Sequence, residues 1–104
     1  MMPIFAVLLE DQPAPAAAIR QRYMEEHLAF LERHQAAIRA AGPLQDAASG
    51  EAAGGLWLVQ ADGAETVAAL IRADPFWPAG LRRSVRILEW RQVFADGVRS
   101  RSSQ

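Results

Sequence analysis

The most constraining stretch of the chain is Ile4–Leu9, IFAVLL, an unbroken apolar run between Pro3 and the turn-like segment EDQPAP. Short, rich in branched and aromatic side chains, and closed off by prolines, it reads as a β-strand rather than a helix. Successive strand residues point to opposite faces of a sheet, so a strand without a polar side needs cover on both faces. Any fold for this chain must supply two covers.

Leu56–Ala61, LWLVQA, makes the same demand, with Leu56 and Leu58 on one face and Trp57 and Val59 on the other. A last strand is expected over Val85–Phe94, where Val85, Ile87 and Glu89 alternate with Arg86, Leu88 and Trp90. Between the first two strands, the alanine-rich segment from Ala16 to Ala41 predicts one long helix, ended by Gly42 and Pro43. Residues 43–53 predict a short edge strand and a mobile hairpin loop, with Gly54 and Gly55 permitting the turn. Asp62 is expected to cap a second helix over Ala64–Ala73, whose Val67, Leu70 and Ile71 make a packed face. Asp74 and Pro75 then close that helix and open a turn, FWPAGL, that stops at Gly80.

The resulting order, strand, helix, strand, strand, helix, strand, is that of an α+β, ferredoxin-like βαββαβ sandwich. Two helices cover one face of such a sheet and leave the other apolar in water. A homodimer packed sheet against sheet supplies the missing cover. At 104 residues the chain holds one domain, expected over residues 1–95, followed by a disordered tail over 96–104.

Composition narrows the function classes. The net charge of −1 offers no footprint for nucleic acid, and the absence of cysteine removes disulfides, thiolate metal sites and cysteine nucleophiles together. No stretch reaches the length of a membrane span, and the N-terminal apolar run meets Glu10 and Asp11 without the basic start of a signal peptide. A cytoplasmic location with no membrane partner is the expectation.

The chemistry centres on YMEEHLAFLERH, residues 23–34. At helical spacing Ile19, Tyr23, Phe30, Leu31, His34 and Ile38 share a half-cylinder with His27, while Arg22, Glu25, Glu26, Glu32 and Arg33 lie mostly opposite. His27 and His34 are about 10 Å apart along the axis, too far to hold one metal ion, so no metal site is expected. His34 reads as a packing residue at the helix end. For His27 two readings stand: a core histidine satisfied by a neighbour, or a working base whose tautomer is fixed by a carboxylate. Asp74, at a helix-to-turn junction, is the best candidate partner, although capping the turn before Pro75 accounts for it equally well. Ser49 and Ser84 lack the setting of nucleophiles, and the glycines fit no phosphate-binding spacing. Arg82, Arg83 and Arg86 form a basic cluster, either solvated or able to hold an anionic group.

Four stretches, HLAFL at 27–31, AAGPLQD at 40–46, ADPFWPAGL at 73–81 and EWRQVF at 89–94, occur in the order and spacing of the YCII-related (YciI-like) proteins. The resemblance runs from Pro3 to Phe94. It implies a ferredoxin-like domain that dimerises into an αβ barrel, with a site built on the motif histidine and aspartate, here His27 and Asp74. It also implies dehydrohalogenase or lyase-like chemistry on small cyclic, often aromatic-derived compounds. One departure is Met24, which stands where relatives often carry an arginine.

The chain is thus expected to be a small-molecule enzyme of lyase, isomerase or hydrolase type. His27 would take a proton or activate water, Asp74 would orient it, and Phe30, Phe76 and Trp77 would wall an apolar pocket without a cofactor. The rival expectation is a dimeric module that binds a small ligand without turning it over.

Overall fold

The computed structural model describes residues 2–100. Strand β1 (Ile4–Asp11), helix α1 (Ala16–Arg33), strands β2 (Ile38–Gln45) and β3 (Ala52–Gln60), helix α2 (Ala64–Ala73) and strand β4 (Arg82–Trp90) follow in the ferredoxin-like order. The four strands form one antiparallel sheet in the order β2-β3-β1-β4. As the unbroken apolar run requires, β1 lies inside the sheet, with β3 and β4 as neighbours.

Alternation sorts the strands cleanly. Phe5, Val7 and Leu9 of β1 and Trp57 and Val59 of β3 are buried under the helices with Phe30, Val67 and Ile71. Ala6, Leu56 and Leu58 point the other way and are only half-covered, and Leu88 and Trp90 on the same side of β4 are exposed. The helices therefore cover one face, and the second face keeps its apolar residues open. Among the described residues no helix is long and apolar enough to cross a membrane.

The long helix is shorter than its alanine content predicts. Helix α1 ends at Arg33, His34 is its C-cap, and residues 38–45 are an edge strand rather than the helix's last turns. The outer edge of β3 carries unpaired backbone groups that a partner strand satisfies, and Ile38 is buried opposite Val59 in doing so. Tertiary pairing outweighs local propensity here. Pro43, expected as a helix stop, sits in this strand, where an outer position tolerates the missing N–H.

Three further expectations are corrected. Gly63, not Asp62, is the N-cap of α2, and the Asp62 carboxylate instead accepts from the Thr66 hydroxyl at 2.7 Å. The hairpin loop expected to be mobile is pinned: Asp46 Oδ1 accepts the N–H groups of Ala48 and Ser49, both at 2.9 Å. Those bonds hold the Asp46 carboxyl below its ordinary pKa. The last strand stops at Trp90, and the expected disordered tail begins as a small hairpin, β5 (Phe94–Ala95) and β6 (Val98–Arg99). Asp96 and Gly97 turn it with φ of 54° and 78°, the left-handed pair of a type I′ turn. The rest of that tail, residues 101–104, lies outside the described residues.

One glycine sets the fit of the two central strands. Gly54 has φ of +91°, and a Cβ placed on it would collide with the Leu9 carbonyl oxygen of β1. Gly54→Ala is expected to destabilise the protein by at least about 2 kcal/mol, because backbone strain and backbone collision act together. Gly50→Ala, at φ +78° with open space around it, should cost only about 1 kcal/mol. Urea unfolding midpoints of the two variants test this; equal losses would show that the strand contact is not the constraint.

Candidate active site

Pro75 begins the construction of the site. A proline disfavours helical backbone in the residue before it, and Asp74 is accordingly extended, with φ −66° and ψ 134°. Helix α2 ends there, and the Asp74 carboxylate turns toward α1. Residues 76–81 follow as a tight turn closed by a Schellman pair: Leu81 N–H donates to Phe76 O at 3.1 Å and Gly80 N–H to Trp77 O at 3.1 Å, with Gly80 at φ +86°. Asp74 Oδ1 accepts the Phe76 N–H at 3.4 Å, so its capping role is present as well.

The same oxygen bonds His27. Nδ1 of the imidazole lies 2.7 Å from Asp74 Oδ1, and both side chains are buried. A carboxylate oxygen only accepts, which assigns the shared hydrogen to Nδ1 and leaves the lone pair on Nε2. No buried side-chain nitrogen or oxygen among the described residues lacks a partner, and the ring's only hydrogen bond is at Nδ1. Nε2 is therefore the nitrogen in contact with solvent, and the arrangement has the geometry of a base held in one tautomer.

Aromatic rings fix the imidazole from behind. Phe76 stacks on it at 4.2 Å between centroids and 23° between planes, and Trp57 approaches at 6.2 Å. Of the three aromatic residues expected to wall a pocket, Phe76 stacks on His27 and is fully buried. Phe30 is a core residue against Trp57 and His34, and Trp77 lies at the surface, 36% exposed. His34 is the packing residue its position suggested: it caps α1 and rests against Phe30 at 4.5 Å.

The basic cluster divides. A bulge in β4 opposite Glu10 and Asp11 pairs Ser84 with Glu10 and Arg82 with Asp11, skipping Arg83. Arg82 thereby enters the helix-covered side, while Arg83 and Arg86 stay exposed. Asp11 bridges two cations, taking Arg82 Nη1 on Oδ1 at 2.8 Å and Arg20 Nη2 on Oδ2 at 2.6 Å. Both guanidinium groups approach the Phe76 ring, at 5.4 Å for Arg82 and 5.8 Å for Arg20. Burial pulls the Arg82 pKa below its ordinary value, and the hydrogen bond and charge of Asp11 oppose that, with Asp74 adding to the opposition. Gly55 leaves the space for this side chain: a Cβ there would sit 3.3 Å from Arg82 Nη1.

Asp11 and Arg20 were not singled out from sequence. The available signal was spacing, since Arg20 lies seven residues before His27 and shares its helix face. Among the described residues no group of three or more histidine or acidic side chains is placed to hold a metal ion.

Residues 4–91 match the YCII-related domain family. The chain belongs to that family. Among solved structures, this YCII-related protein is similar to 5-chloro-2-hydroxyhydroquinone dehydrochlorinase (TftG) from Burkholderia phenoliruptrix in complex with 2,5-dihydroxybenzoquinone. The TM-score is 0.74 at 27% identity, covering 86% of this chain and 94% of that one. A dimeric protein of unknown function and ferredoxin-like fold from Bacteroides fragilis gives a TM-score of 0.48 at 15% identity, over 86% and 94% of the two chains. PA3566 from Pseudomonas aeruginosa gives 0.48 at 14%, over 86% and 93%. No curated protein matches the sequence.

Removing Asp11 would strand Arg82 as an unpaired charge whose side chain is only 5% exposed. Asp11→Ala is expected to cost about 3 kcal/mol, and adding Arg82→Met should recover much of it, because the cost is that of the uncompensated cation. Denaturant unfolding of the single and double variants checks this; losses that simply add would remove the charge argument.

Proposed function

We propose that this protein is a small-molecule lyase that uses His27 as general base and Asp74 as its orienting carboxylate. The observation that carries the reading is an imidazole with Nδ1 tied to a buried carboxylate at 2.7 Å and Nε2 facing solvent. Similarity to a dehydrochlorinase supports the reaction class, and the 2,5-dihydroxybenzoquinone bound there supports a small cyclic, hydroxylated substrate.

In this reading Nε2 takes a proton from an acidic O–H or C–H of the substrate. The electron pair of that bond moves into the substrate framework and expels a leaving group such as halide on a neighbouring carbon. The net loss is H–X, with the proton passing from imidazolium to solvent. Asp74 accepts from Nδ1–H throughout and stabilises the imidazolium while it exists. Phe76 keeps the ring from tilting, Phe30 packs in the core behind it, and Trp77 supplies the accessible aromatic wall.

The working form is a homodimer. The half-covered face carrying Leu56 and Leu58 and the exposed Leu88 and Trp90 form one apolar surface, and a second copy laid sheet against sheet covers it, closing an αβ barrel.

His27→Gln is expected to lower chloride release from 5-chloro-2-hydroxyhydroquinone by about 10²- to 10⁴-fold with the circular dichroism spectrum unchanged. Asp74→Asn, which cannot hold the same tautomer, should lose a large part of that factor. Full turnover by His27→Gln would remove His27 as the base, and binding without any chloride release by the wild type would replace the lyase by a ligand-binding module. Light scattering should return about twice the 11.4 kDa chain mass, and a monomer at micromolar concentration would defeat the dimer.

A further inference from the structure

A cleft of about 550 Å³ opens at the start of α1, between the end of β1, the first turns of that helix and residues 52–54 of β3. Its charged lining is Glu10, Asp11, Arg20 and Arg83. The volume falls in the range of small-molecule sites.

The acids of this lining are already committed. Asp11 spends one oxygen on each of Arg82 and Arg20. Glu10 Oε1 accepts from the Ser84 hydroxyl at 2.7 Å and from Arg83 at 3.4 Å, contacts that also lower its pKa. Arg20 spends only Nη2, leaving the donors on Nε and Nη1 without a hydrogen-bond partner among the described residues. Asp11 is shared between its two cations, and the charge of Asp74 also acts on Arg82. Arg82 is sealed at 5% side-chain exposure, whereas Arg20 is 23% exposed and lines the cleft. Two cations at the cleft remain open to a ligand, Arg20 and the more exposed Arg83, and of these Arg20 is the one that rests on Phe76.

Arg20 also stands in register with the base. Seven residues separate it from His27, so the two leave α1 on one face, about 10 Å apart along the axis. Both side chains rest on Phe76, the imidazole at 4.2 Å and the guanidinium at 5.8 Å from its centroid.

We propose that Arg20 is a specificity-determining residue that takes an anionic oxygen group of the substrate, a carboxylate or phenolate on a small cyclic compound. The inference rests on the lyase reading for what happens at His27, but not for what binds at Arg20. The guanidinium presents planar, paired N–H donors that match a carboxylate, and its charge does not titrate away. Asp11, held in turn by Arg82, fixes the direction of the fork.

The test is binding of 2,5-dihydroxybenzoate and of its uncharged methyl ester to the full chain, by calorimetry and NMR titration. Wild type should bind the anion at least about tenfold more tightly than the ester, given the strength of charge-assisted pairs. Arg20→Gln should erase that preference with ester affinity unchanged, Arg20→Lys should keep part of it, and His27→Gln should keep it whole. Equal affinities in wild type, or a preference that survives in Arg20→Gln, would overturn the assignment. Should Arg20→Gln fail to fold, Arg20→Lys decides: anion affinity equal to wild type would overturn it. Full turnover by His27→Gln would remove the role given to His27 and leave this binding result standing.

Discussion

The hydrogen bond between His27 Nδ1 and Asp74 Oδ1 is the constraint around which the helical layer is arranged. It joins the middle of α1 to the end of α2 through two side chains that water barely reaches. Burying either group alone would cost several kcal/mol, and a mutual bond with charge character removes most of that cost. Each helix is thereby held at one rotation: turning α1 by a residue would carry the imidazole away and leave the carboxylate unpaired. The stacked Phe76 and the neighbouring Trp57 complete the enclosure, so the part of the ring left available is its Nε2 edge.

A second polar assembly lies on the same support. Arg82 and Arg20 approach the ring that backs His27, and Asp11 holds them both. Phe76 is thus the mechanical link between the imidazole and a charged cluster that shares no hydrogen bond with it. A disturbance of the cluster reaches the imidazole through packing on Phe76 and through the charge of Asp74, which also acts on Arg82.

Much of this is legible in the sequence. The two strands without a polar face, the histidine inside an apolar helix face, and Asp74 before Pro75 all follow from local rules, because periodicity and proline act over a few residues. What stayed hidden was long-range. Nothing near Ile38 says that the exposed edge of β3 will recruit it, so the alanine-rich sequence predicts a helix as far as Ala41. Nothing in the arginines at 82, 83 and 86 says which one turns inward, because that depends on a register shift against Glu10 and Asp11 across the sheet. Trp57 beside the imidazole, and Asp11 between two arginines, are likewise products of strand pairing and not of any spacing along the chain.

That register shift gives β4 an unusual property. The strand opens with two adjacent arginines, and the skipped residue selects which is enclosed and which is left in water. The charge behind Phe76 is consequently governed by how many residues the strand spends on reaching Val85, not only by what those residues are. Insertions and deletions here, rather than substitutions, are the changes by which related sequences could re-wire this cluster while every residue type stayed the same.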